Sequence, residues 1–244
     1  MARRSSSFSL FVLILLVVVA FIILRRTQPA SRAAIGTSQP YPEESRTEYG
    51  RGSRSSHGAQ IRAACAAFGV TCRSEYFASW REPYDGTCST TLRRGYPVPD
   101  PRCTPGGIDP EVTAEVLRNP AWRTGCTRNC ETSEAEKHVT YRWYGMRTPR
   151  SNYGESQVCE LDHLIPLELG GADGLGNIWP ECGPSDVALE DRNFKIKDRV
   201  ENYLADKVKS GKMSLGSAQR GIASDWTQFL DAANRYCAAG GRCE

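Results

Sequence analysis

The sequence predicts an α+β fold with a disulfide-rich N-terminal extension, preceded by a transmembrane helix. Three features support this prediction: a strand–turn–strand–helix pattern at about residues 156–208, ten Cys residues confined to positions from 65 onward, and a long apolar run near the N-terminus. The chain has 244 residues, of which 40% are apolar, so it is long enough for one domain with a hydrophobic core and some appendages.

The apolar run is predicted to be a membrane anchor. Residues 10–24 are 15 consecutive apolar residues, and counting from Ser5 gives 20. Twenty helical residues span roughly 30 Å, which matches the hydrocarbon core of a bilayer. A cleaved signal peptide is the alternative, although the one small-residue cleavage pattern, at residues 31–33, is poor. Arg residues flank the run on both sides, so charge does not predict its orientation.

The ten Cys residues indicate an oxidising compartment. Their number is even and they follow the apolar segment, which is typical of exported proteins with disulfide frameworks. Zinc is the alternative, but the Cys-x-x-Cys pairs that usually hold it do not occur in this sequence. The full pairing stays open, and position in the sequence suggests three bridges: Cys65–Cys72, Cys159–Cys182 across the predicted strands, and Cys237–Cys243. We expect a domain in the periplasm or extracellular space, membrane-anchored or secreted after signal cleavage.

The charge of the chain excludes a bulk polycation. The formal net charge is +3, but four of the positive charges flank the apolar run: Arg3, Arg4, Arg25 and Arg26. Without them, 27 Lys and Arg residues face 28 Asp and Glu residues. A nucleic acid would therefore have to bind to a local basic surface rather than to the overall field of the protein.

Composition divides the chain into four segments. These are an anchor or signal at 1–26, a flexible tether at 27–58, a Cys-rich extension at 59–100, and a main domain at 101–244 with its core at 156–208. Before this core, local patterning predicts short helices at 60–68 and 112–117, a Pro-rich loop at 96–105 and a strand at 139–144.

Residues 158–180 have the pattern of two strands joined by a turn. A strand at 158–165 ends at Pro166, and a returning strand at 177–179 ends at Pro180. Between them, Gly170-Gly171 and Asp173-Gly174 have the composition of tight turns.

A helix is predicted to follow the second strand, at 187–208. Its apolar face carries Leu189, Ile196 and Val200, and Asn193 falls on the same inward-facing stripe. A buried amide must be paired, so Asn193 is expected to contribute to a site between the helix and the strands. Lys197 projects from a neighbouring part of this face. A last helix, capped by Ser214, is predicted to run to about residue 236.

This pattern resembles the motif of the HNH nucleases, which share the ββα-metal or His-Me finger fold. The resemblance extends over about residues 100–230 and rests on Asp162-His163, Pro166, Gly170-Gly171, Asn177-Ile178-Trp179, and a helix with Asn193 and Lys197-Asp198. It implies that the domain at 101–244 is an HNH nuclease domain. The sequence departs from many HNH proteins in having Asn where the final His often stands and in lacking the Cys pairs of a structural zinc.

The resemblance implies a role for each matching residue. His163 would be the general base, and Asn177 would fix the loop and orient that His. Asp162 and Asn193 would be the metal ligands. Asp162 and His163 are adjacent on a strand, so they can share a site only if the strand bends there. Two further residues are candidate phosphate contacts, although such side chains are as often solvated: Lys197 and Arg150.

These residue types suit phosphodiester hydrolysis. A neutral imidazole, whose usual pKa is about 6.5, can take a proton from water at neutral pH. One carboxylate and one amide leave a divalent ion with open positions, and these hard oxygen ligands suit Mg²⁺ or Mn²⁺. We expect an endonuclease acting on nucleic acid, with DNA favoured and no organic cofactor. The alternatives are a membrane-tethered, disulfide-rich binding module without catalysis and a structural zinc module that binds nucleic acid.

Overall fold

The computed structural model describes residues 65–243, which have an α+β fold of small sheets and several helices. The predicted anchor and tether lie outside the described residues. The strands are β1 Glu75–Tyr76, β2 Thr91–Arg93, β3 Tyr96–Val98, β4 Gly107–Ile108, β5 Cys159–His163 and β6 Ile178–Cys182. They form three two-stranded antiparallel sheets, in which β1 pairs with β4, β2 with β3 and β5 with β6. The α-helices are α1 Ala114–Arg118, α2 Glu134–Lys137, α3 Val139–Trp143, α4 Asn193–Lys209, α5 Leu215–Asp225 and α6 Leu230–Ala238. Within residues 65–243, no helix is long and apolar enough to cross a membrane.

Helix α4 lies at the centre of the main core. Its apolar residues recur every four positions, so they form one stripe that is buried against α5 and α6. This core contains Ile196, Val200, Leu204 and Val208 of α4, Ile222 of α5 and Leu230 of α6. The other face of α4 carries the polar residues that approach the β5–β6 hairpin.

The β5–β6 hairpin matches the predicted strand pair, with different boundaries. The register places His163 opposite Ile178 and Cys159 opposite Cys182. Strand β6 continues through Pro180, where we expected it to end. Pro180 can lie within this strand because each strand of a two-stranded sheet has a free edge, where a residue without an N–H group is tolerated.

Helix α4 begins at Asn193, later than the predicted start near residue 187. Residues Leu189–Asp191 instead form a single 3₁₀ turn. The backbone N–H of Asn193 donates to the carbonyl of Gly183 at 2.9 Å, so it is bonded to the preceding loop and not to an earlier helical turn. Asn193 is therefore the first residue of the helix and not an interior one.

Three other local predictions differ from the structure. Residues predicted as a strand at 139–144 form α3, because their buried side chains recur at helical spacing: Thr140, Tyr141, Trp143 and Tyr144. The predicted loop at 96–105 begins with β3. Ser214 caps α5 as expected, but the predicted long helix is interrupted after Asp225, whose side chain accepts from the backbone N–H of Thr227.

All ten Cys residues are paired, which confirms the disulfide framework and leaves no Cys for zinc. The bridges are Cys65–Cys126, Cys72–Cys130, Cys88–Cys103, Cys159–Cys182 and Cys237–Cys243. The expected bridges at the hairpin and the C-terminus are confirmed, and the Cys65–Cys72 guess is wrong. Proximity in the sequence misleads there, because each of these two Cys residues reaches the distant segment around residues 126–130.

Candidate active site

A cleft of about 190 Å³ opens where β5 meets α4. Asp162 and His163 both line it, although neighbouring strand residues normally face opposite sides. His163 is the last residue of β5, so the chain leaves the strand geometry there. The structure thus brings together the two residues that the motif placed side by side.

His163 is held as a neutral imidazole. Its ring is almost fully buried, and its Nε2 atom lies 2.9 Å from Oδ1 of Asp173. Burial lowers the pKa of His163, and the hydrogen bond to Asp173 opposes this shift only in part. Because a carboxylate can only accept, Nε2 carries the proton and Nδ1 keeps a lone pair. A ring nitrogen with a free lone pair can accept a proton from water.

Asp173 is held in its charged form by two buried partners. Its Oδ1 atom also lies 2.9 Å from Nζ of Lys137, and both side chains are 1% exposed. Burial raises the pKa of Asp173, but the hydrogen bonds from His163 and Lys137 outweigh it and the pKa is lowered. Sequence reasoning missed both residues, since Asp173 looked like a turn residue and Lys137 had no motif.

Asn177 fixes the loop that follows β5. Its Oδ1 atom accepts from the backbone N–H groups of Gly107 and Ile165, at 3.2 and 3.0 Å. Its Nδ2 atom donates to the carbonyls of Ile165 and Ala172, at 2.9 and 2.8 Å. The amide is fully buried and all of its bonding capacity is used by backbone groups. This geometry fits the loop-fixing role predicted for Asn177 and leaves it no free group for substrate.

The Gly170-Gly171 turn carries the chain from β5 to Asp173. A Cβ atom on Gly171 would lie 1.7 Å from the carbonyl oxygen of Ile165, which is impossible for any other residue. Gly170 has a φ of +68°, in the left-handed region that favours glycine. The turn thus depends on both glycines for the approach that brings Asp173 back to His163.

Lys197 is a buried cation within the site and not a substrate contact. Its side chain is 0% exposed, and its Nζ atom donates to the carbonyl of His163 at 2.9 Å. Nζ also lies 2.6 Å from Oδ2 of Asp162 and contacts Glu201. The distance between Nζ of Lys197 and Oδ2 of Asp162 is that of an ion pair, but the two groups are not aligned for a hydrogen bond. We therefore treat the contact as an ion pair. The structure does not support the predicted phosphate contact at Lys197, because its ammonium is fully enclosed.

Carboxylates surround this buried lysine. Burial lowers the pKa of Lys197, but Asp162, Glu201 and Glu181 outweigh it, and the pKa is raised. Glu181 is fully buried and neither of its carboxylate oxygens has a hydrogen-bond partner in the described residues. Burial, followed by the charge of Asp162, raises the pKa of Glu181. Burial also raises the pKa of Glu160 to about 7. Lys197 therefore offsets part of a crowded negative charge.

Asn193 does not line this cleft. It lies at the start of α4, where its Nδ2 atom donates to the carbonyl of Cys182 at 2.9 Å. The predicted metal ligand at Asn193 is thus not brought beside Asp162, because Asn193 meets the strand at Cys182 whereas Asp162 lies opposite Trp179. Asn202, farther along α4, does line the cleft. Its Nδ2 atom donates to the carbonyl of Asp198, and its buried Oδ1 atom has no partner in the described residues.

The residues that line the cleft include oxygen ligands of the kind that hard divalent cations take. Oδ2 of Asp162 is ion-paired with Lys197, as is Glu201, whereas the buried Oδ1 of Asn202 has no hydrogen-bond donor in the described part of the chain. Carboxylate and amide oxygens are the ligands that Mg²⁺ and Mn²⁺ favour. Between residues 65 and 243, no group of three or more His, Cys, Asp or Glu side chains is arranged to hold a metal.

Arg150, the other predicted phosphate contact, is exposed and does not line the cleft.

A second cleft of about 500 Å³ adjoins the first, and the two share Arg128 and Glu160 as lining residues. Arg128 was missed in the sequence, where only its position between two Cys residues set it apart.

No family model, no curated protein and no solved structure matches this chain significantly.

Proposed function

We propose that this chain is a metal-dependent endonuclease that hydrolyses phosphodiester bonds of nucleic acid, with DNA as the expected substrate. The observation that carries the proposal is the buried His163, bonded through Nε2 to a charged Asp173 and adjacent to Asp162 at the cleft. A neutral imidazole with an oriented ring is what general-base catalysis at neutral pH requires.

The order of elements supports a ββα-metal core. Strands β5 and β6 form an antiparallel hairpin, and α4 follows and packs on it. The base lies at the end of the first strand, the loop-fixing Asn177 just precedes the second strand, and polar residues of the helix line the cleft. This is the placement that the HNH resemblance predicts, with the helical ligand moved from Asn193 to Asn202.

The proposed reaction uses the residues of the cleft in sequence. Nδ1 of His163 takes a proton from the attacking water, and Asp173 stabilises the imidazolium that forms. The water oxygen bonds to phosphorus as the bond to the 3′ oxygen breaks, and that oxygen takes a proton from solvent. Asp162 and Asn202 would hold the divalent ion, with Glu201 alongside. When bound, the ion supplies Lewis-acid stabilisation of charge on the phosphate and leaving oxygens.

The same proposal includes export. Five disulfides favour an oxidising compartment, and the apolar run at 10–24 favours a membrane anchor with the domain in the periplasm or extracellular space. Secretion after signal cleavage is the alternative.

A nicking assay tests the catalytic proposal. The full-length chain, purified with its disulfides formed, should convert supercoiled plasmid to open-circular and linear DNA with Mg²⁺ or Mn²⁺, and EDTA should stop the reaction. His163→Ala should lose nearly all activity, because it removes the base. His138→Ala is the control for the loss of an imidazole outside the catalytic cleft, since His138 is exposed, contacts the ring of Tyr141 and lines only the adjoining cleft. Full activity of His163→Ala at saturating substrate would refute the assignment.

One observation favours a non-catalytic binding module as a second candidate. Asp162 already has a cation, Nζ of Lys197, at 2.6 Å. If this ion pair excludes a metal, the chain would bind nucleic acid without cleaving it. Plasmid binding without cleavage under any added divalent ion would identify this case.

A further inference from the structure

The cleft that would receive the phosphodiester is lined mainly by carboxyl groups. They belong to Glu160, Asp162, Glu168, Asp198 and Glu201. Asp162 and Glu201 pair with Lys197, whereas Glu168 pairs with Arg242 and Asp198 with Lys195. Arg128 is the one Lys or Arg that lines this cleft among residues 65–243. Because Lys197 is enclosed, it cannot offer its charge to an incoming anion. An anionic substrate therefore needs an accessible cation at the rim.

Arg128 is free to supply that charge. It is exposed and forms no ion pair with any residue of the described chain. It lines both the cleft at His163 and the adjoining cleft of about 500 Å³. A strand of nucleic acid that extends from one cleft into the other would pass this guanidinium, which can bond two phosphate oxygens at once.

The backbone around Arg128 is fixed from several sides. Cys126 and Cys130, two residues away on either side, are bonded to Cys65 and Cys72. The N–H of Arg128 donates to the carbonyl of Thr124 at 3.0 Å. The next residue, Asn129, has a φ of 56°, and its side chain accepts from the buried Lys137 at 2.7 Å. A fixed backbone reduces the entropy lost when a ligand binds.

From these contacts we infer that Arg128 is the phosphate-binding residue of the site, held in place by the two disulfides of the N-terminal extension. The inference rests on the proposed function, because it identifies the residue that contacts the substrate of the same cleft. It also gives the Cys65–Cys126 and Cys72–Cys130 bridges a purpose beyond stability, since they place a charge at the entrance to the acidic cleft.

The test compares Arg128→Ala with Arg123→Ala in the full-length chain. Arg123 is an exposed arginine of the same segment that lines neither cleft, and its guanidinium donates to the carbonyls of Pro120 and Trp122. Binding to a short fluorescein-labelled DNA duplex is measured in EDTA by anisotropy over a range of salt concentrations. Arg128→Ala should weaken binding roughly tenfold or more and make the logarithmic salt slope shallower by about one. Arg128→Lys should restore the slope but only part of the affinity.

The outcomes separate this inference from the proposed function. If the wild type cleaves DNA and Arg128→Ala binds and cleaves like Arg123→Ala, the inference is wrong and the nuclease proposal stands. If the wild type binds without cleaving and Arg128→Ala loses binding, the nuclease proposal is wrong and the phosphate site stands. If the wild type neither binds nor cleaves nucleic acid, both are wrong. Circular dichroism of each variant checks that the fold is retained.

Discussion

Lys197 and Arg128 show how burial decides which charged residues of the site can meet a substrate. Both carry one positive charge, but Lys197 is fully enclosed by carboxylates whereas Arg128 is exposed between two clefts. Sequence reasoning chose Lys197 because it projects from a part of the predicted helix next to the inward-facing stripe that carries Asn193. Lys197 and Glu181 of strand β6 are both fully buried. Their burial depends on tertiary packing, which helical periodicity does not describe.

The residues that sequence reasoning could and could not find differ in how far their partners lie along the chain. Asp162, His163 and Asn177 belong to one local motif, so their spacing was enough to identify them. Asp173 was interpreted only as part of an Asp-Gly turn, and Lys137 contacts Asp173 from a separate helix. Contacts of this kind arise only when distant elements pack, and a single sequence has no periodic signal for them.

The identity of the helical ligand can be tested by comparing Asn202→Ala with Asn193→Ala. Asn202 presents an unpartnered buried oxygen to the cleft, so its loss should raise the Mn²⁺ concentration for half-maximal activity by about 10- to 100-fold. Asn193→Ala should lower stability by about 1 kcal/mol, because it loses one hydrogen bond to Cys182, and leave the Mn²⁺ midpoint unchanged. Activity titrations and urea unfolding measure the two effects. The opposite pattern would return the ligand role to Asn193.

At the scale of elements, the type of each core element was predictable but its boundaries were not. The segment at 158–165 that ends at Pro166 and the four-residue spacing on α4 correctly indicated strand and helix. The start of α4 was misplaced because the bond from Asn193 to Gly183 ties the helix to a preceding loop. The residues of α4 that line the cleft lie farther along the helix, at Asp198, Glu201 and Asn202.

The hairpin itself should depend on the Cys159–Cys182 bridge. In the chain-entropy model, a bridge with a separation of 23 residues stabilises by about 3 kcal/mol, and one with a separation of 6, such as Cys237–Cys243, by about 2 kcal/mol. The double variant Cys159→Ser/Cys182→Ser should therefore lose more stability than Cys237→Ser/Cys243→Ser in chemical denaturation. It should also lose activity under conditions in which it remains folded, because the hairpin positions both His163 and Asn177. Equal activity in the two double variants would contradict this role.

At the scale of the whole molecule, the Cys-rich extension is joined to the domain that bears the site. The sequence divided the chain at residue 100, where composition changes. Three of the five disulfides cross that point: Cys65–Cys126, Cys72–Cys130 and Cys88–Cys103. Strand β1 also pairs with β4 across it. Composition indicates where a segment changes character, but covalent cross-links between segments depend on which Cys residues meet in the fold.

A fragment of residues 101–244 should therefore fail to form the active protein, whereas residues 59–244 should retain it. The shorter fragment would leave three Cys residues without partners and would lose the strand that pairs with β4. Each missing bridge is worth about 2–4 kcal/mol, so the combined loss is comparable to the whole stability of a typical domain. Oxidative refolding followed by near-UV circular dichroism and the nicking assay compares the two fragments. If the shorter fragment refolds and cleaves DNA as well as the longer one, the extension is dispensable and the fixed position of Arg128 does not depend on it.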